Sequence, residues 1–238
     1  MEHLPAYLSL LFIAITILTV MLFYRAANRS KSVLFIVVAW LLLQGILSAT
    51  GFYTLTSGMP PRFALPIIPP FALIAALFLT AKGREFIDRL SIRQLTMLHC
   101  IRIPVELGLL GLYLNGAIPG LMTFEGRNFD LLSGLSAPVI FYIAFIRRRM
   151  GRNLLLAWNI ACLGLLANIV VHAILAAPFD FQQIAFEQPN RAVFYFPFVC
   201  LPCCIVPIVL LAHLTAIRQL IMSPESLSKK RQSTASPV

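Results

Sequence analysis

Apolar residues in this chain come in long runs separated by short polar clusters, at 5–24, 33–54, 65–81, 95–116, 131–146, 154–177 and 194–217. A helix rises 1.5 Å per residue, so about 20 such residues cross the hydrocarbon core of a bilayer. Each run is long enough or nearly so. The third and fifth are short, but flanking Thr, Tyr and Arg side chains reach the interface and make up the difference. The pattern predicts an all-α fold: a polytopic seven-transmembrane-helix bundle over residues 1–222. The tail at 223–238, rich in Ser, Pro and Lys, is expected to be disordered.

Composition supports that reading and removes others. Hydrophobic residues make up 59% and charged residues only 12% of the 238, about half the roughly 25% charge of a soluble domain. A soluble enzyme with a membrane tail, a disulfide-rich secreted domain and a disordered chain are excluded. The net charge of +10 is sorted along the sequence. Arg25, Arg29 and Lys31 follow the first run; Lys82, Arg84, Arg89 and Arg93 the third; Arg147, Arg148, Arg149 and Arg152 the fifth; Arg218, Lys229, Lys230 and Arg231 the seventh. The alternate connections hold only Arg62, Arg127 and Arg191. Short basic loops stay cytoplasmic, so the N-terminus is expected outside and the C-terminus inside. Basic residues placed this way mark topology, with some attraction for anionic lipid, and do not point to nucleic acid. The expected location is the inner (plasma) membrane, and the expected partner is the lipid bilayer. Residues 1–24 carry Glu2 but no Lys or Arg ahead of the apolar run, which reads as an N-out first helix and not a secretory signal.

Several activities lack their residues. A retinal Schiff base needs a lysine within the seventh span, and the lysines are Lys31, Lys82, Lys229 and Lys230. The seventh span has no NPxxY, Arg93 is in no DRY triplet, and HExxH, GxSxG, a late HxxxH pair and a Gly-rich phosphate loop are all missing. Pro66, Pro69, Pro70, Pro104, Pro197, Pro202 and Pro207 are expected to bend their helices and expose carbonyls to a cavity or to close neighbours.

Ionisable groups at membrane depth cost at least about 2.5 to 3.5 kcal/mol each, so they are few, inward-facing and paired or functional. In the fourth span His99, Arg102 and Glu106 share one helical stripe. Counting about 1.5 Å per residue from the arginine flanks puts His99 and His213 on an inner level and Glu106, Asp130, Asn168 and His172 in the outer half. Glu106, Asp130 and His172 then form a zinc-compatible set, one ligand from each of three successive helices, with His99 and His213 as an alternative inner site. The structural reading beside it is an Arg102–Glu106 ion pair with both histidines held for packing. Asn128 or Asp130 can cap the fifth helix. Alternatively, Glu125, Arg127 and Asp130 rim a pocket floored by Glu106, with Gly126 turning the chain inward; Arg102 and Asn168 complete the expected ligand-binding set.

The segments R-I-P-V-E at 102–106 and T-F-E-G-R-N-F-D at 123–130 resemble a pattern in uncharacterised bacterial seven-helix membrane proteins. The resemblance covers about a third of the chain and implies the architecture without an activity. Cys200 and Cys203 form a C-x-x-C among five cysteines that all lie in apolar runs, where a small hydrophobe is the usual role. Trp40, Gln44 and Ser48 lie one helical turn apart on the second span and are expected to join helices. The aromatic and polar loop 179–189 reads as an interfacial lid. The expected function is an outward-facing intramembrane pocket for a divalent metal, zinc first, or a small polar ligand, with metal-assisted hydrolysis as its chemistry if catalytic. The alternatives are a proton- or ion-coupled small-molecule transporter and a receptor-like or scaffolding protein.

Overall fold

The computed structural model describes residues 4–55 and 61–222, and every regular element among them is helical. The helices are α1 (Ala6–Ala26), α2 (Lys31–Ala49), α3 (Ala64–Leu79), α4 (Ala81–Asp88), α5 (Ile92–Leu98), α6 (Arg102–Leu114), α7 (Leu131–Phe141), α8 (Arg152–Leu175) and α9 (Val206–Met222). Short 3₁₀ and π turns extend several of them. The expected tail at 223–238 lies outside the described residues.

Five of these segments are long and apolar enough to cross a membrane: α1, α2, Ile92–Leu114, α8 and Leu201–Met222. The segment Ile92–Leu114, the fourth expected span, is composite, with α5 and α6 joined through a 3₁₀ turn at His99–Ile101. Pro104 follows that turn within the first residues of α6, where its missing N–H leaves no helical bond unmade. The third expected span ends in a sharp corner. Its apolar part is α3, and after Thr80 the chain bends by 94° into α4, a short helix carrying Lys82, Arg84, Glu85 and Asp88. The Thr80 hydroxyl accepts from Gly83 N–H to start α4. A sixth crossing is reached if α3 and α4 count as one bent span. The fifth expected span, Leu131–Ile146, is a shorter apolar helix whose last turn, Tyr142–Ile146, is wound as a π-helix.

Pro69, Pro70, Pro202 and Pro207 all stand on cleft walls. The α3 helix runs through Pro69 and Pro70 and breaks only at Thr80. In the last span Pro202 lies in a π turn, Leu201–Ile205, ahead of α9. Pro197 precedes that helix, which begins at Cys200 and not at Phe194.

The interior is built around α1, the α5–α6 span and α9, which contribute Leu8, Phe12, Ile15, Leu98, Ile101, Leu109, Val209 and Ala212 to one apolar core. By contrast α2 buries only Gln44 and Ser48. That helix is tied on by its polar stripe: Trp40 Nε1 donates to the Cys203 carbonyl at 3.0 Å, Ser48 Oγ to the Phe194 carbonyl at 2.9 Å, and Gln44 accepts from the Tyr53 hydroxyl. The stripe joins helices as expected. At the arginine-rich end, Arg218 clamps Asp88 through two hydrogen bonds of 2.8 and 3.0 Å, which fixes α4 to α9.

The α3 helix buries only Pro66 and Ile74 and packs chiefly against α4, α9 and the π turn ahead of α9. Two clefts result. One lies between α2 and α3, with about 700 Å³ of space, and its walls include Trp40, Pro69, Leu73, Cys203 and Pro207. The other lies between α3 and α8, with about 730 Å³, and extends under the loops that follow α6 and α8.

Candidate functional site

The polar centre forms because segment 120–130 turns selected side chains inward. Met122, Thr123, Asn128 and Asp130 are buried while Glu125, Arg127 and Phe129 stay exposed, so Asp130 at the start of α7 faces the bundle interior. Gly126 permits the fold: a Cβ there would sit 2.5 Å from the Gly120 carbonyl oxygen and from Leu121 Cα. Gly134 then brings α7 against Arg102, since a Cβ at that position would meet Arg102 Cβ at 3.1 Å and the Ile103 backbone N at 3.0 Å.

Arg102 lies at the middle of the centre and is 3% exposed. Its Nη1 donates to Asp130 Oδ1 at 2.5 Å, and its Nη2 lies 3.0 Å from His213 Nε2. A guanidinium only donates, so His213 Nε2 accepts and the ring hydrogen is on Nδ1. That nitrogen lies 3.0 Å from Asn159 Oδ1 and donates to it. His99 stacks on His213 with ring centroids 3.9 Å apart and planes 12° from parallel, and meets the edge of Trp158 at 5.6 Å. Trp158 is itself held by Ser136 Oγ at 2.9 Å.

Glu106 is separate from this chain of contacts. It is 2% exposed, and Oε1 accepts from Asn128 Nδ2 at 2.6 Å. Asn128 also donates to the Met122 carbonyl and accepts from the Asp130 backbone N–H, which spends both ends of its amide. Glu106 Oε2 is buried and has no hydrogen-bond partner among the described residues. In the structure the arginine pairs with Asp130 from the next span, and the i, i+4 pair Arg102–Glu106 is not formed.

Glu106, Asn128 and Asp130 all line the cleft between α3 and α8, together with Asn190. Asn190 donates through Nδ2 to the Ala173 carbonyl and leaves Oδ1 buried, with no hydrogen-bond partner among the described residues. The remaining wall is apolar and includes Ile67, Phe71, Leu109, Ile169, Ala173 and Val206. Ile68, Ile174 and Phe181 stand at its rim, 60%, 43% and 41% exposed, so the cleft opens sideways between two helices. Its volume lies within the range of about 300–1,000 Å³ usual for small-molecule sites.

The other expected site residues are distributed differently. His172 does not line the cleft; it is half-buried, and its Nδ1 lies 2.8 Å from the Asn168 carbonyl one turn earlier. Asn168 bonds the Arg127 carbonyl, while the Glu125 and Arg127 side chains are exposed on the loop. The set Glu106, Asp130 and His172 is therefore not assembled. Among the described residues no three His, Cys, Asp or Glu side chains are placed to hold a metal ion. The inner pair His99 and His213 does not converge either, because nearly parallel stacked rings hold their nitrogen lone pairs in separate planes. Asp130 sits at the start of α7 without capping it through its side chain, which is spent on Arg102.

Asn159, Trp158, Ser136 and Asn190 were not among the sequence expectations. The first had a visible signal: Leu155, Asn159, Cys162, Leu166 and Ile169 repeat at helical spacing and form the buried stripe of α8. Cys200 and Cys203 are free thiols buried at the first turn of the last helix. The loop expected as a lid is pinned to the bundle, with Gln188 Nε2 donating to the Tyr113 and Ile118 carbonyls.

Comparison with protein families places the chain. A family model described as a domain of unknown function (DUF8737) matches residues 59–221, and the chain belongs to that family. No curated protein and no solved structure matches it.

Proposed function

We propose that this protein is a multi-pass membrane protein that binds a small amphipathic molecule, entering from the bilayer, in the cleft between α3 and α8. Seven crossings, with the cleft toward the outer face and the arginine-rich end in the cytoplasm of a cell with this protein in its inner membrane, are supported by the sorting of Lys and Arg between connections. The observation that carries the reading is Glu106 Oε2: a buried acceptor without a partner among the described residues, on the wall of an otherwise apolar cleft. Such a group is costly to hold unless something completes it, and a ligand head does so. Zinc and metal-assisted hydrolysis receive less support, because the cleft brings together two of the three expected ligands.

The test uses a long-chain alcohol carrying a diazirine, photolysed with the purified protein in detergent micelles and mapped by mass spectrometry. Saturable labelling concentrated on α3 and α8 residues such as Ala72, Ile169 and Ala173 is the expected result. Labelling spread evenly over the exposed apolar faces, α2 included, overturns it. The scaffolding reading is favoured by one observation, the internal Arg102–Asp130 and Arg102–His213 contacts, and it predicts that even spread.

A further inference from the structure

The charges around the cleft are unequally matched. Arg102 is the buried cation nearest the polar wall, and its charge is paired with Asp130. Glu106 has only the neutral amide of Asn128. No Lys, Arg or His is among the described residues that line the cleft. The hydrogen-bonding capacity left over is equally one-sided. Asn128 spends both amide N–H groups on Glu106 and the Met122 carbonyl, and Asn190 spends one on the Ala173 carbonyl, whereas Glu106 Oε2 and Asn190 Oδ1 have no hydrogen-bond partner among the described residues. The wall thus has a carboxylate hydrogen-bonded only to a neutral amide and two unpartnered oxygens, against one amide N–H left over on Asn190.

From this we infer that the occupant of the cleft is a lipophilic primary amine, its ammonium head against Glu106 and its hydrocarbon chain along the apolar walls of α3 and α8. An ammonium carries three donors and no acceptor, which suits the two oxygens that lack a donor. It also supplies the positive charge that a carboxylate in low dielectric requires. A fatty alcohol offers one donor and no charge, and a fatty acid would bring a second negative charge beside Glu106. The inference rests on the cleft being a binding site and adds the class of head it selects.

The experiment is competition against the diazirine label on α3 and α8, with dodecylamine, N-acetyldodecylamine and dodecanol compared on the same protein. Dodecylamine is expected to compete at a concentration at least tenfold lower than the two neutral compounds. Glu106→Gln is expected to remove that advantage while leaving dodecanol unchanged. Equal competition by all three on the unaltered protein overturns the amine assignment and leaves the cleft as a site; this comparison needs no variant and stands even if Glu106→Gln fails to fold. An amine preference that survives in folded Glu106→Gln also overturns it. If none of the three displaces the label, the cleft reading itself fails.

Discussion

The two clefts beside α3 have nearly the same volume, about 700 and 730 Å³, and similar apolar walls, yet only one contains unfinished chemistry. Between α2 and α3 the indole N–H on the wall is spent on holding the fold: Trp40 Nε1 bonds a backbone carbonyl, and among the described residues no buried side-chain nitrogen or oxygen of that wall is left without a partner. Between α3 and α8 the wall includes Glu106 and Asn190, each with a buried oxygen that no described residue satisfies. Hollow space alone distinguishes nothing in a loosely packed helical membrane protein. What sets this cleft apart is that buried, unpaired oxygens coincide with hollow space, whereas the other unpaired buried atoms, such as Gln44 Nε2 and Thr215 Oγ1, line neither cleft.

The largest blow to this contrast is to unpair the charges that support the polar cleft. Arg102→Met leaves Asp130 buried without its cation, and a loss of about 3 to 5 kcal/mol is expected, read as a lowered unfolding midpoint in detergent. The double variant Arg102→Met with Asp130→Leu should recover most of it, since removing both charges leaves neither stranded. Next, Gly134→Ala pushes a methyl group against Arg102 and the Ile103 backbone, with an expected cost of about 1 to 3 kcal/mol in the same measurement. A smaller effect separates the clefts directly. Ala173→Trp should fill the α3–α8 cleft and weaken dodecylamine competition about tenfold, roughly 1.4 kcal/mol, while Ala39→Trp in the other cleft leaves it unchanged. Equal effects from both would dissolve the distinction. The smallest change is Ser48→Ala, which removes one hydrogen bond from α2 to the Phe194 carbonyl; about 0.5 to 1.5 kcal/mol of stability should go, with amine binding intact.

Apolar run lengths made the helical architecture legible, and the stripe of Trp40, Gln44 and Ser48 disclosed how α2 attaches. Glu106 and Asp130 were also visible as misplaced charges. Their partners were not. A ruler of about 1.5 Å per residue places Asp130 far from Arg102 if every helix starts at the membrane surface. That assumption fails because segment 120–130 turns Asp130 toward the bundle interior. The i, i+4 spacing of Arg102 and Glu106 suggested a local pair, but a buried guanidinium takes whichever carboxylate the tertiary fold presents in line with its fork, and Gly134 lets α7 present Asp130. His172 shows the opposite error: helical spacing put it beside Asn168, and that is where its ring stays, bonded to the carbonyl of its own helix.

The corner at Thr80 has a mechanical meaning. The foot of α3 is anchored because α4 is bolted to α9 through Asp88 and Arg218, while the upper body of α3 forms a partition with a hollow on each side. A partition held at its foot keeps its two faces apart: one side of α3 turns Pro69 and Leu73 to the hollow under Trp40, and the other turns Ile67 and Phe71 to the hollow beside Glu106.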